Sequence, residues 1–149
     1  MNDRYLFRAK RIDNGEFVIG SLVLSGDADE EYKAIIIPSV NSNMFTRESY
    51  NEDLGFENWY KVDQSTICQC TGLKDKNGNL IWENDVVKQF ADCNELGNSL
   101  YFFYQIRWNN EYSAFEGYEI YTKETVLFPD LEDIEVIGNI FDNPELINE

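Results

Sequence analysis

The chain of 149 residues has the length of about one domain and can bury a core without disulfides or metals. Its 28 acidic and 12 basic residues give a formal net charge of −16, which disfavours contact with nucleic acid and anionic membrane because phosphate contacts need Lys and Arg. Histidine is absent, and this excludes Ser-His and Cys-His nucleophile pairs, histidine general bases and His-ligated metal sites.

The N-terminal third predicts short strands joined by turns. A first strand over residues 5–9 and a second over 17–24 flank Asp13-Asn14-Gly15-Glu16. Asn-Gly favours a tight hairpin because both residues tolerate positive φ. A β-branched run over 32–37 ends at Pro38, which cannot donate to a sheet ladder. The pattern indicates an antiparallel sheet.

The segment from Ser39 to Asn58 has no clear period and is long for a connection in a compact domain. It is expected to be an insertion, a mobile loop or a short helix, for which Ser49 and Glu52 provide a weak capping pattern. Strand character resumes over residues 59–62 and again over 66–73.

The second half contains the best-marked turn, Asp75-Lys76-Asn77-Gly78, and a series of apolar and aromatic runs. Many short strands with turn residues between them predict a mainly β fold, an antiparallel sheet or small barrel with little helix. The runs after the turn cover residues 80–82, 86–90, 100–108, 115–121 and 134–141.

The three cysteines are Cys68, Cys70 and Cys93. Cys68 and Cys70 are two apart in a strand pattern, so they point to the same face and are poorly placed to form a disulfide with each other. No apolar N-terminal segment resembles a signal peptide, and no apolar run reaches the length of a membrane span. We therefore expect a cytoplasmic protein with reduced thiols.

Residues 71–87, which run from Thr71-Gly72-Leu73 to Asp85-Val86-Val87, resemble the hallmark of the YopX family of phage and prophage proteins. The opening Phe7-Arg8-Ala9 and the ending over 136–146 are also similar to that family. Asn84 stands where the family more often has glycine, and Asn enters the left-handed region readily. Cys70 stands where an aromatic residue is usual, so a neighbouring aromatic side chain is expected to fill the space.

The resemblance implies a mainly β, self-associating protein of a phage or prophage in a bacterial host, with no established activity and no catalytic residues to carry over. We expect a single domain over 1–149, with an N-terminal β subdomain (1–60) and a C-terminal barrel-like subdomain (61–149) as the alternative division. Residues 83–87 resemble the way many SH3-like barrels enter a core strand, so a small SH3-like barrel is expected in the second half.

Several residue groups could in principle carry chemistry. The pairs Asp53/Glu57 and Glu83/Asp85 could act as acid and base, but acids at turns commonly cap or solvate. The acidic cluster Asp27-Ala28-Asp29-Glu30-Glu31 lacks EF-hand spacing, and the cysteines lack the spacing of a zinc site. The aromatic run 101–104 could stack nucleobases, although an acidic chain favours a core or interface role. We predict no catalytic, cofactor or metal site.

Strand 100–108 carries apolar residues on both faces, and a sheet with one buried face leaves the other for a second sheet or subunit. The sequence favours a non-enzymatic accessory protein that acts through protein contacts, forms homo-oligomers and could engage a basic host or phage protein. Two alternatives stay open. One is a small metal-dependent hydrolase or nuclease-like enzyme using carboxylates, and the other is an acidic mimic of nucleic acid that binds a basic partner.

Overall fold

The computed structural model describes residues 2–27, 29, 32–39, 44–47, 53–128 and 133–148, with the backbone alone for 44–47 and 53–54. The mainly β prediction is confirmed, because the described chain consists of antiparallel strands and three short 3-10 turns. Contacts divide the chain into two compact units, Asn2–Gln69 and Cys70–Glu149. Within the described residues, no helix is long and apolar enough to cross a membrane.

The first unit is built on a meander of antiparallel strands. Strand β1 pairs with β2, β2 with β3 and β3 with β6, while the first two residues of β7 pair with the other side of β1. The strands are β1 (Phe7–Lys10), β2 (Phe17–Leu24), β3 (Ala34–Pro38), β4 (Met44–Arg47), β5 (Asp53–Phe56), β6 (Tyr60–Lys61) and β7 (Cys68–Lys74). Short 3-10 turns lie at Asp3–Tyr5 and Gln64–Thr66.

The hairpin between β1 and β2 is confirmed, but its turn differs from the predicted Asn-Gly turn. Arg11 N–H donates to Glu16 O and Gly15 N–H to Arg11 O, both at 2.9 Å. Gly15 has a φ of 71°, whereas Asn14 is not among the residues with positive φ. Only one left-handed residue is therefore needed, because the loop holds four residues rather than two.

The segment Ser39 to Asn58 contains strands β4 and β5, which pair from Met44↔Phe56 to Arg47↔Asp53. A short helix is wrong for those two stretches, since four-residue strands carry too short a pattern to be recognised and are stabilised by cross-strand pairing. The proposed cap at Ser49 and Glu52 lies outside the described residues.

Alternation along the strands places the core of the first unit on one face of the sheet. Ala9, Ala34, Ile36 and Val62 are buried there, and Val18, Leu22 and Ile67 pack against them. Since successive residues of a strand point to opposite faces, Ile35 and Ile37 lie on the other face.

The second unit contains an open antiparallel sheet in the order β12-β11-β10-β9-β13. Strands β12 and β13 are at opposite edges, and no ladder joins them within the described residues, so the expected SH3-like barrel is not confirmed. The strands are β8 (Leu80–Trp82), β9 (Asp85–Cys93), β10 (Ser99–Asn109), β11 (Ala114–Glu119), β12 (Thr125–Leu127) and β13 (Ile134–Asn139), followed by a 3-10 turn at Pro144–Leu146.

The core of the second unit lies where β8, β9, β10 and β13 bring aliphatic side chains together. Ile81, Val87, Ile106 and Ile134 are fully buried, and Tyr104 is nearly so. The partly buried Phe115, Val126, Phe128 and Val136 pack against them.

The family-like segment 71–87 builds this core. Asn84 has a φ of 69° in the turn before β9, as its left-handed tolerance predicts. Gly72 has a φ of 82° inside β7, where the β7–β8 register shifts, so it permits a β-bulge. Cys70 is buried opposite Trp82 in that ladder.

Candidate interaction surface

Three of the four carboxylates considered as acid and base have described side chains, and these lie in a turn or in solvent. Asp85 is buried and accepts a hydrogen bond from Trp82 N–H at 2.8 Å, which closes the turn from β8 into β9. Glu83 is half-buried in that turn, and Glu57 is exposed. The Asp53 side chain, like Glu30 and Glu31, lies outside the described residues.

The thiols are not brought together as ligands. Cys68 and Cys70 are both buried, as their spacing in one strand predicts, whereas Cys93 is exposed in β9. Cys68 Sγ donates to Thr66 O at 3.3 Å. In the part of the chain that the structure describes, no group of three His, Cys, Asp or Glu residues is placed to hold a metal ion.

The burial of two further carboxylates, Asp75 and Glu119, was not predicted from the sequence, and both are structural. Asp75 Oδ1 accepts from the backbone N–H groups of Asn77 and Asn79, and its Oδ2 accepts from Val136 N–H, each at 2.9 Å. Burial acts to raise the pKa of Asp75, but these backbone donors outweigh it and hold that pKa below its usual value. Asp75 therefore ties the β7–β8 turn to β13.

Glu119 has the same role at the end of β11. Its Oε2 accepts from the N–H groups of Tyr121 at 2.9 Å and Thr122 at 2.6 Å, and Oε1 from Phe103 N–H at 3.3 Å. Burial opposes ionisation, yet the donors from Thr122, Phe103 and Tyr121 lower the pKa of Glu119. Burial and the nearby Glu119 charge raise the pKa of Tyr104. The oxygens of both carboxylates accept hydrogen bonds from backbone N–H groups and so stabilise the fold.

The exposed apolar surface of the second unit is concentrated in the far half of the β9–β10 hairpin, residues 90–102, which we name the β9–β10 arm. Phe90 lies opposite Tyr101, with the two rings edge to face at 6.1 Å, while Phe102 is on the other face near Tyr104. The arm is apolar on both faces, because five large side chains there are 41–85% exposed: Phe90, Leu96, Leu100, Tyr101 and Phe102.

The backbone edges of the arm are open within the described residues. Strand β13 pairs with β9 only as far as Gln89, and β11 pairs with β10 only from Tyr104 onwards. The tip closes on itself, with Asn94 N–H donating to Asn98 O and Gly97 N–H to Asn94 O. Two-stranded hairpins are marginal alone, and open strand edges are templates for pairing with another chain.

The sequence analysis placed aromatic residues here but missed the turn that makes the arm. Asn94 and Gly97, with a φ of 80°, repeat the spacing and geometry of Asp75 and Gly78, with a φ of 82°. Asn94 Oδ1 also accepts from two backbone N–H groups, as Asp75 Oδ1 does. The repeated Asx-x-x-Gly pattern was the available signal.

These features define a mainly β protein of two compact units with an exposed apolar hairpin. The YopX protein family model matches residues 6–148, so the chain belongs to the YopX family. The structure is similar to the crystal structure of protein EF1440 from Enterococcus faecalis, with a TM-score of 0.56, 24% identity and coverage of 95% of this chain and 96% of that one. At that identity the likeness is one of fold. No curated protein matches the sequence.

Proposed function

We propose that this protein is a non-enzymatic protein-interaction module of a phage or prophage, acting in the cytoplasm of the bacterial host and self-associating through the β9–β10 arm. The observation that carries the proposal is the arm itself. Its apolar side chains are exposed on both faces and its strand edges have no partner strand in the described chain. Such surfaces in soluble proteins favour protein–protein contact.

The size of the arm supports a specific contact. Large side chains bury about 150–250 Å² each, so the exposed fractions of the five apolar residues leave on the order of 500 Å² to be covered. Stable interfaces bury roughly 800 Å² per partner, and the polar residues of the arm provide the remainder. Edge pairing between two copies would add main-chain hydrogen bonds.

Sedimentation velocity over a micromolar concentration series tests the self-association. The double variant Tyr101→Ser and Phe102→Ser removes exposed rings and is expected to weaken association by about tenfold or more, since hot-spot aromatics each contribute about 2 kcal/mol. Tyr112→Ser is the matched control, because Tyr112 is 72% exposed in the same unit but outside the arm. A native chain that stays monomeric throughout the series contradicts the proposal.

A second candidate, binding of a basic host or phage protein, is favoured by the distribution of charge. Residues 70–149 hold 16 acids and 5 Lys or Arg residues, against 12 and 7 in residues 1–69. Asp92 and Glu95 are the charged residues of the arm. A negative surface attracts a basic partner and speeds the encounter at low salt. An affinity pull-down from infected or lysogenic cells identifies such a partner. If no basic protein is captured at low salt, the result counts against this second candidate.

A further inference from the structure

A groove of about 420 Å³ lies on the first unit, against the face of the sheet opposite its core. Val23 pairs with Ile35 across β2 and β3, and Ser21 pairs with Ile37, so Val23, Ile35 and Ile37 share this outer face. All three line the groove. Its volume is within the range of about 300–1,000 Å³ that small-molecule sites occupy.

Aromatic rings complete the lining. Tyr32, Phe56 and Trp59 border the groove, and the rings of Tyr32 and Trp59 lie 6.4 Å apart at 47°. Tyr32 is 42% and Trp59 47% exposed, so large flat surfaces remain in contact with water. Covering them with a planar apolar body is favourable, since aromatic pairs gain energy beyond the area they bury.

The polar groups among the lining residues are hydrogen-bond donors. They are the Ser25 hydroxyl, the Tyr32 phenol and the Trp59 indole N–H. Within the described part of the chain, none of these three side-chain groups makes a hydrogen bond, and Ser25 and Tyr32 bond only through their backbone N–H groups. The ammonium of Lys61 lies 4.7 Å from the Tyr32 ring centroid and adds positive potential at that side.

We propose that the groove between Val23, Ile37 and Trp59 is a binding site for a small planar aromatic molecule that carries an acceptor, such as a carboxylate, carbonyl or sulfonate, at its edge. The apolar lining selects the aromatic body, and the three donors select the acceptor. A cationic edge is disfavoured because it cannot accept from the Trp59 indole N–H and is repelled by the nearby Lys61 ammonium. This site is independent of the β9–β10 arm and of the self-association proposed for it.

Titration with anilinonaphthalene sulfonate, followed by its fluorescence, tests the site on the full chain. The native protein is expected to bind one probe per chain at the groove and to bind the neutral N-phenylnaphthylamine more weakly, because that molecule lacks the sulfonate. Val23→Glu is expected to raise the dissociation constant of the sulfonate by about tenfold or more, since it places a carboxylate against the apolar lining. Ser25→Ala removes one donor and is expected to raise it by about 2- to 10-fold.

Leu24→Glu is the matched control for Val23→Glu. It adds the same charge one residue further along β2, where Leu24 is 62% exposed and does not line the groove. Circular dichroism establishes that each variant folds, and Trp59→Ala replaces Val23→Glu if the latter does not. Binding that Val23→Glu and Leu24→Glu weaken equally overturns the site, as does binding that neither changes.

Three further outcomes also count against the proposal. Equal affinity for the sulfonate and the neutral probe overturns the acceptor requirement. Probe binding that disappears with the arm variant Tyr101→Ser and Phe102→Ser places the probe on the arm. Probe occupancy that falls as protein concentration rises shows that a second copy covers the groove.

Discussion

At the scale of single residues, Gly20 is the clearest case of a position where the backbone permits no side chain. It lies in β2 between β1 and β3, paired with Phe7 on one side and Pro38 on the other. A Cβ atom built on it would overlap Ile37 O and stand 2.8 Å from Ile37 C. Both are backbone atoms, so a strand must move to make room.

Gly20→Ala is therefore expected to destabilise the first unit by about 2–4 kcal/mol, as overpacking and loss of ladder hydrogen bonds combine. Gly26→Ala is the matched control, because a Cβ there meets nothing within 4 Å. Urea unfolding curves measure both. Neutral surface substitutions change the free energy of unfolding by less than about 0.5 kcal/mol. A change that small for Gly20→Ala contradicts the expected strand displacement.

Asp75 gives the fold a predictable dependence on pH. Its pKa is depressed in the folded chain because the backbone donors of Val136, Asn79 and Asn77 outweigh burial. The stabilisation is thus present above the unfolded pKa of about 3.9 and is lost as pH falls through the lower folded value. Asp75→Asn is expected to cost about 1–3 kcal/mol at neutral pH, and the cost shrinks as pH falls below about 4, where the unfolded chain takes up the proton first and the native carboxyl only at lower pH.

Urea unfolding at neutral and at acid pH measures this difference. Asp27→Asn is the control, since Asp27 is exposed and makes no hydrogen bond to the described residues. If Asp75→Asn lowers the free energy of unfolding by the same amount at both pH values, the lost stability comes from packing and not from the carboxylate charge. The sequence identified Asp75 as a turn residue, but its bond to Val136 joins positions 61 apart and depends on tertiary structure.

At the scale of elements, alternation and turn residues predicted most strands of both units. The β1–β2 hairpin, β7 to β10 and β13 are within a few residues of the expected runs. Strand β12 was missed because three residues paired with β11 carry too short a pattern. Strands β4 and β5 were missed because each has only four residues, too few to show alternation, and their stability comes from pairing with each other.

The arm shows why element length is harder to predict than element type. Residues 91–98 break the apolar pattern, so β9 and β10 were expected to stop short of each other. The ladder instead continues to Cys93↔Ser99, past a register shift between Leu100 and Tyr101. A strand does not need buried side chains to continue when its partner is held by a tight turn. The exposed stretch that results is the part of the fold that best fits a binding role.

At the scale of the whole molecule, the family was predictable from contiguous sequence but the closure of the sheet was not. Residues 83–87 do enter a core strand, with Val86 and Val87 fully buried. Whether a sheet closes depends on pairing between its first and last strands, and β12 and β13 share no ladder in the described chain. The apolar groove could not be predicted from the sequence either, because it forms only where β2, β3 and the residues around Trp59 meet in space.

The net charge of −16 determines how self-association should respond to salt. Two copies of one chain carry the same sign, and each arm brings Asp92 and Glu95 to the contact. Raising NaCl from about 0.05 to 0.5 M shortens the Debye length from roughly 14 to 4 Å and screens that repulsion. Self-association through the apolar arm is therefore expected to tighten several-fold with salt, because burial of rings does not depend on charge.

Binding of a basic partner has the opposite dependence, since salt screens an attraction. Sedimentation velocity at the two salt concentrations measures self-association, and the affinity pull-down repeated at both concentrations measures binding of a basic partner. The variant Asp92→Asn with Glu95→Gln, which keeps shape and removes two charges from the arm, is expected to tighten self-association at low salt and to change it little at high salt. Association that weakens as salt rises would place the contact on opposite charges, and the arm would then not be the surface through which copies meet.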